Sequence, residues 1–176
     1  MALFTNGIFP AGGETGDGGG IIQIKQTLKR DVSSFGSNGQ NNFIDSGMDV
    51  TITPQDNSNK ILLYWSIYFG LSTQENIGLA LYANDSIIQD FRATGAGSNQ
   101  QKGGTQSYVD GGSYGGLNVG FYVDSPNTTS AVKYTPYIMY LRNGNANFYI
   151  NRNQNDQNES YRGRFCSTLT AMEISS

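Results

Sequence analysis

The chain has 176 residues, enough for one domain with a sizeable core, and carries a formal net charge of −3 with a sequence pI near 4.8. The absence of histidine and the single cysteine, Cys166, exclude histidine-based catalysis, an intrachain disulfide and a multi-thiolate zinc site. The acidic balance gives no electrostatic case for binding nucleic acid, and no apolar run is long enough for insertion into a membrane as a helix.

Residues 1–20 form a zone of their own, with a short apolar head followed by a glycine-rich linker. The apolar head contains Leu3, Phe4, Ile8 and Phe9, which would be exposed if nothing bound them. We therefore predict a flexible N-terminal docking arm, with a frayed terminus as the alternative. The folded domain is expected to span residues 21–176.

Short stretches of strand-forming residues follow along the rest of the chain, without helical periodicity. Turn residues separate several of them, at 54–59, 84–86 and 143–144. This spacing predicts an all-β sandwich or jelly roll. The predicted strands are 21–30, 43–45, 48–53, 60–70, 76–82, 87–92, 118–123, 132–141, 148–150 and 164–174.

The stretch 60–70, KILLYWSIYFG, is the longest run of strand formers and holds the only tryptophan. Because side chains alternate across a strand, its odd positions form a purely apolar face and its even positions an aromatic, amphipathic one. We predict a central strand whose odd face packs in the core. The even face would be covered by another subunit or by the same chain. Pro136, inside the stretch 132–141, predicts a bulge or an edge position there.

Two long polar segments, 93–116 and 151–163, are predicted to be loops, the first with at most a short strand near Tyr108 and Val109. Cys166 falls in a strand-like run, and we expect it to be a small buried side chain.

The carboxylates are scattered, and most stand at turns, where aspartate has a structural role. A glycosidase pair of Asp110 with Asp156 and a calcium loop in 151–159 remain alternatives. The glycosidase pair is supported only by the position of both aspartates in long loops. The segment 151–159 lacks the alternating acidic residues of a calcium-binding loop. We therefore expect no enzyme activity, no cofactor and no metal.

Recognition is the remaining role for the two long loops. Tyrosine combines a rigid apolar face with a polar tip, and amide side chains supply adaptable hydrogen bonds, a mixture that suits sugars or the surface of a polar polymer. The alternative is that these loops only cap the sandwich. The candidate receptor or glycan contacts are Gln106, Tyr108, Asp110, Tyr114, Arg152, Asp156 and Tyr161.

Several phrases of the chain resemble a β-sandwich module of virion proteins in tailed phages, especially marine and cyanobacterial ones. The phrases are TPQDNSNKILL, DSPNTTSAVKY and STLTAMEI, and the resemblance covers about residues 21–175. None of these phrases is catalytic, since they are turns and core strands. Fibres of this kind carry a long shaft before the module, and twenty residues cannot form one.

The resemblance implies a homotrimeric virion protein on the phage tail or capsid surface, made in the host cytoplasm. The first interpretation is a short tail fibre that docks to other virion proteins through residues 1–20 and touches a host surface glycan through its loops. The second is a capsid decoration protein that stabilises the head. A trimer needs subunit contacts, and the candidates are Leu62, Tyr64, Tyr68, Tyr137 and Met139.

Overall fold

The computed structural model describes residues 20–36, 42–95, 102–110, 114–141, 146–159 and 162–176. The predicted docking arm and the predicted turn at 143–144 lie outside these residues. The described part of the chain forms twelve strands and one 3₁₀ helix, Gln89–Phe91. The strands are β1 Ile21–Lys29, β2 Ser33–Gly36, β3 Phe43–Asp45, β4 Val50–Ile52, β5 Lys60–Leu71, β6 Gln74–Ala83, β7 Ser86–Ile87, β8 Thr105–Asp110, β9 Gly115–Asp124, β10 Val132–Tyr140, β11 Asn147–Ile150 and β12 Ser167–Ile174.

The strands form two antiparallel sheets, which confirms the predicted all-β sandwich. In the first sheet, sheet A, the order is β1-β12-β5-β11-β2, and β9 pairs with the other edge of β5. In the second sheet, sheet B, the order is β3-β10-β6-β7, with β4 also on β10 and β8 also on β6. The apolar core lies between the sheets.

Strand β5 is the central strand that its sequence predicted. Its odd side chains, from Ile61 to Phe69, are at most 1% exposed and belong to the core cluster. The largest of them, Trp65, donates its indole N–H to the Asn118 side-chain oxygen at 2.7 Å and meets the Phe91 ring edge-on. A Cβ on Gly120, the residue paired with Trp65, would lie 2.4 Å from the indole. Only glycine therefore leaves room for the tryptophan.

Several segments differ from the prediction. Strand β2 has no counterpart among the predicted strands, and the predicted strand 164–174 begins only at Ser167. The stretch 87–92 was predicted to be a strand, but β7 is only Ser86–Ile87 and the chain then forms the 3₁₀ helix. This helix turns Phe91 against Trp65 and Tyr122, a contact that a continuing strand would not make. The predicted loop 93–116 contains the six-residue strand β8 and the start of β9.

Pro136 lies in an interior strand, contrary to the bulge or edge position that we predicted. Strand β10 pairs with β6 through Pro136 without a register shift. On its other side, Pro136 falls between the part paired with β4 and the part paired with β3, where its carbonyl accepts the Ser46 N–H at 3.2 Å. Between the part paired with β4 and the part paired with β3, no described ladder residue lies opposite Pro136. Proline, which lacks a backbone N–H, is therefore tolerated at this position.

The two ends of β5 mark two opposite ends of the sandwich. At its first residue, Lys60 pairs with Ile174, and next to that pair the Gly20 carbonyl accepts the backbone N–H of Ser175 at 3.0 Å. Near its other end, Gly70 pairs with Gly115, which follows Tyr114. Twelve residues at about 3.3 Å each separate the Gly20 end from the Tyr114 end by about 40 Å.

Candidate recognition surface

Strand β8 presents three of the predicted contact residues side by side on the outer face of sheet B. Gln106, Tyr108 and Asp110 occupy alternate positions, all exposed, and the Tyr108 side chain is 54% exposed. The neighbouring strand β6 adds two amides, because Asn76 pairs with Tyr108 and Gln74 with Asp110. We call these five residues the β8 strip.

Hydrogen bonds order the polar atoms around the exposed tyrosine. Gln74 donates its side-chain amide to the Asp110 carboxylate at 2.6 Å, and Gln106 donates to the Asn76 side-chain oxygen at 3.2 Å. The result is an aromatic face flanked by amide and carboxylate groups that still point to solvent. Such an arrangement can stack on a sugar ring and hydrogen-bond its hydroxyl groups.

A buried polar network holds β8 in place, and the sequence did not reveal it. Asn118, 2% exposed, accepts from Trp65 and from the Thr105 hydroxyl, and donates its amide to the Ser107 hydroxyl at 2.9 Å. Two of the three inward positions of β8, Thr105 and Ser107, are polar, and only the third, Val109, is an apolar core residue. Buried polar groups need partners, so this network fixes the position of β8 on the sandwich.

Tyr114 lies at the same end of the sandwich as Asp110. It is 59% exposed and immediately precedes β9, whose first residue, Gly115, pairs with Gly70 of β5. The structure therefore brings four of the seven predicted contacts to one end of the sandwich or along the strand that leads there.

The other described candidates, Arg152 and Asp156, lie in the loop between β11 and β12 and have partners within the chain. Arg152 stacks over the Tyr149 ring at 4.3 Å and donates to the Ser34 hydroxyl at 2.8 Å. Asp156 accepts two hydrogen bonds from Arg164, at 2.9 and 2.5 Å. The hydrogen bond from Arg164 lowers the pKa of Asp156, opposite to the shift that a general acid needs. Tyr161 lies outside the described residues.

This loop also lies over sheet A. The backbone of Arg152 and Asn153 comes so close to Gly70 that a Cβ there would lie 2.7 Å from it, and Phe165 packs on Tyr68 with ring centroids 4.7 Å apart. Its outer side has a polar depression lined by Asp156, Gln157, Asn158, Arg162 and Arg164.

Cys166 is exposed, so the prediction of a buried thiol is wrong. The residue belongs to the irregular segment before β12, which begins at Ser167, and the alternation of the strand does not reach it.

The predicted subunit contacts lie on opposite sides of the sandwich. Leu62, Tyr64 and Tyr68 are on the outer face of sheet A, whereas Tyr137 and Met139 are on the outer face of sheet B. Met139 is a correction to that set, because its side chain is only 1% exposed in the single chain and offers almost no surface to a neighbour.

Within the described ranges, no group of three or more cysteine, aspartate or glutamate side chains could hold a metal ion. In the same ranges, no helix has the length and apolar character needed to cross a membrane.

Comparison with known proteins finds solved structures that are similar to this chain only at low sequence identity and with TM-scores below 0.5. No family model matches the chain, and no curated protein does. A chain of the infectious bursal disease virus Gx strain is 14% identical over 99% of this chain and 42% of its own length, with a TM-score of 0.47.

Two further structures of infectious bursal disease virus are similar at still lower scores. A mutant VP2 protein in derived T=1 particles is 13% identical over 98% of this chain and 41% of its own, with a TM-score of 0.42. A chain of the Gt strain is 11% identical over 99% and 41%, with a TM-score of 0.39. This chain thus spans about two fifths of each of these proteins. Likenesses at this level carry no information about function.

Proposed function

We propose that this protein is a short homotrimeric tail fibre, or receptor-binding protein, of a tailed phage. In this proposal residues 1–20 attach it to the tail or baseplate, with Leu3, Phe4, Ile8 and Phe9 as the apolar contacts. The β8 strip and Tyr114 contact a host surface glycan. The protein acts by binding, and no residue has a catalytic role.

The observation that carries this proposal is the arrangement of the two ends. Gly20, which residues 1–19 precede, lies beside Ser175 at the start of β5. Tyr114 and Asp110 lie at the other end, about 40 Å away at 3.3 Å per residue of β5. A protein held at one end and recognising a surface at the other needs this separation.

The chemistry of the β8 strip supports recognition of a sugar. Tyr108 offers an exposed ring, and the amides of Gln74, Asn76 and Gln106 offer donors and acceptors beside it. The Asp110 carboxylate accepts hydrogen bonds, as sugar hydroxyl groups can provide. The strip belongs to a paired strand rather than to a loop, so its side chains have fixed spacing before a ligand binds.

Binding of the purified protein to host cells tests this role. Replacing Tyr108→Ala removes the ring and should weaken binding about tenfold, the effect of about 1.4 kcal/mol. Tyr108→Phe is the matched control, because it keeps the ring and should retain most of the binding. If Tyr108→Ala binds as well as the wild-type protein, the β8 strip is not the receptor contact.

A further inference from the structure

The outer face of sheet A forms a continuous apolar grid across four strands. The strand registers align Ile24, Met172, Leu62 and Val123 in one row from β1 to β9. The next two rows are Gln26–Thr170–Tyr64–Phe121 and Leu28–Thr168–Ser66–Val119, and Leu117 follows on β9 beside Tyr68. We call the residues of these three rows, together with Leu117, the sheet A face.

Large apolar side chains on this face are exposed, and they concentrate on its two outer strands. Phe121 of β9 is 72% exposed, and Ile24 of β1 is 52% exposed. The inner strand β12 contributes Thr168, Thr170 and Met172, and none of these three is exposed. In all, seven large hydrophobic side chains of the face are exposed, namely Ile24, Leu28, Tyr64, Leu117, Val119, Phe121 and Val123.

The three rows of the sheet A face contain no charged residue, and Lys60, in the row before Leu62, is a charged residue at their border. The outer face of sheet B carries charges along its strands, namely Asp45, Lys133 and Asp110. Depletion of charged residues at the centre of a surface patch is characteristic of protein–protein interfaces. An uncharged apolar face is also compatible with a copy of itself, since it brings no like charges together.

Strand β9 is a second reason to expect that another chain contacts this side of sheet A. Among the described residues it forms a backbone ladder only with β5, so it is an edge strand, and near its start the Ser107 hydroxyl of β8 donates to the Leu117 carbonyl at 3.3 Å. Natural edge strands are usually protected by charged side chains, and within β9 only the last residue, Asp124, is charged. An edge of this kind remains soluble when another chain covers it.

The width of the face fits three copies around one axis. Four strands about 4.8 Å apart make a face about 19 Å wide. Three such faces closed into a triangular prism lie about 5.5 Å from the axis, close to half of the ~10 Å that separates packed sheets. In that arrangement the β9 edge of one copy meets the β1 edge of the next, which places Phe121 near Ile24. The threonines of β12 then face the axis.

We propose that the sheet A face is the surface through which this chain associates with further copies of itself, packed around a three-fold axis. The choice of three copies rests on the proposed function together with the width of the face. The choice of this face rests on its exposed apolar rows, its lack of charge and its edge strand.

Measurement of the mass in solution tests this inference. Light scattering after size exclusion should give three times the chain mass of 19.1 kDa for the wild-type protein. Phe121→Asp and Ile24→Asp, made separately, should each raise the dissociation constant at least a hundredfold and give a single chain at low concentration. Tyr108→Asp is the control, since it adds the same charge to an exposed aromatic position of the other sheet. Circular dichroism should show the same strand content for all of them.

Each outcome decides between the possible occupants of the face. A mass of two chains that falls to one in both face variants supports the sheet A face as the contact surface, but it overturns the three-fold axis proposed here and the trimer of the proposed function. A wild-type protein that is a single chain overturns the inference and leaves the N-terminal segment or another virion protein as the occupant. An oligomer that survives both face variants overturns it as well. Unchanged host-cell binding by Tyr108→Ala would contradict the receptor contact without any bearing on the mass, so the receptor contact and the sheet A face fail independently.

Discussion

At the scale of the residue, Trp65 has the largest effect on stability that we expect. Its side chain is fully buried, bonded to Asn118 and seated over Gly120. Trp65→Ala should lower the free energy of unfolding by about 3–5 kcal/mol, because it leaves a large cavity and removes one of the two hydrogen bonds that the Asn118 side-chain oxygen accepts. Urea unfolding measures this change.

Tyr108→Ala is the control for that measurement, because the Tyr108 side chain is more than half exposed and its loss should cost under about 1 kcal/mol. A loss well under 1 kcal/mol for Trp65→Ala would contradict the position of Trp65 in the core.

At the scale of the element, Glu173 connects β12 to β1 and to the turn before β5. Its buried carboxylate accepts hydrogen bonds from Gln23 at 2.5 Å, from Asn59 at 2.6 Å and from the backbone N–H of Gln55 at 2.6 Å. Burial raises the pKa of Glu173, but these hydrogen bonds together outweigh it and lower the pKa below its ordinary value of 4.5.

A carboxyl group whose pKa is lowered in the folded state stabilises the protein above its unfolded pKa. This stabilisation is lost as the pH falls below 4.5 through the folded pKa. Glu173→Gln should therefore cost about 2 kcal/mol at neutral pH, since its amide turns a donor toward other donors. The cost should shrink in acid, as urea unfolding over a pH series would show. A cost that stays constant down to acid pH would mean that the charge of Glu173 is not involved.

The sequence predicted those elements whose outer and inner faces differ in polarity. Strand β5 was visible because large apolar residues occupy every odd position. Only a short strand near Tyr108 and Val109 was visible of β8, because the inward residues of its first half, Thr105 and Ser107, are polar and find their partner in Asn118 on another strand. A local pattern cannot show that a polar side chain will be satisfied by another strand.

The candidate site was predictable only in part, for a similar reason. Tyr108 and Asp110 were selected by residue type, and the structure places them on one exposed face. Arg152 and Asp156 were selected by the same criterion, but Tyr149, Ser34 and Arg164 already contact them. Residue type indicates which groups can bind a ligand, and only the fold shows which groups are engaged within the chain.

At the scale of the whole molecule, the proposed role as a tail fibre predicts where the protein lies on the particle. Gold-labelled antibody should mark the phage tail rather than the head. A chain lacking residues 2–14 should keep its oligomeric state and be absent from particles, because the deletion removes the apolar head and leaves the described strands intact.

Label confined to the head would contradict the tail fibre and support a capsid decoration protein. Assembly of the shortened chain onto particles would contradict the docking arm. The full-length protein, expressed from the same vector, is the control for both measurements.

The position of Gly20 also has a mechanical consequence. A pull that separates the Gly20 end from the Tyr114 end acts along the strands, and the first strand to carry it is β1. Strand β1 is joined to β12 by an antiparallel ladder from Ile21 to Lys29, whose hydrogen bonds run perpendicular to the strands. Tension therefore loads the whole ladder in shear, and all its bonds must fail nearly together rather than one after another. A chain anchored at this point resists force far better than one anchored where the strands could be peeled apart.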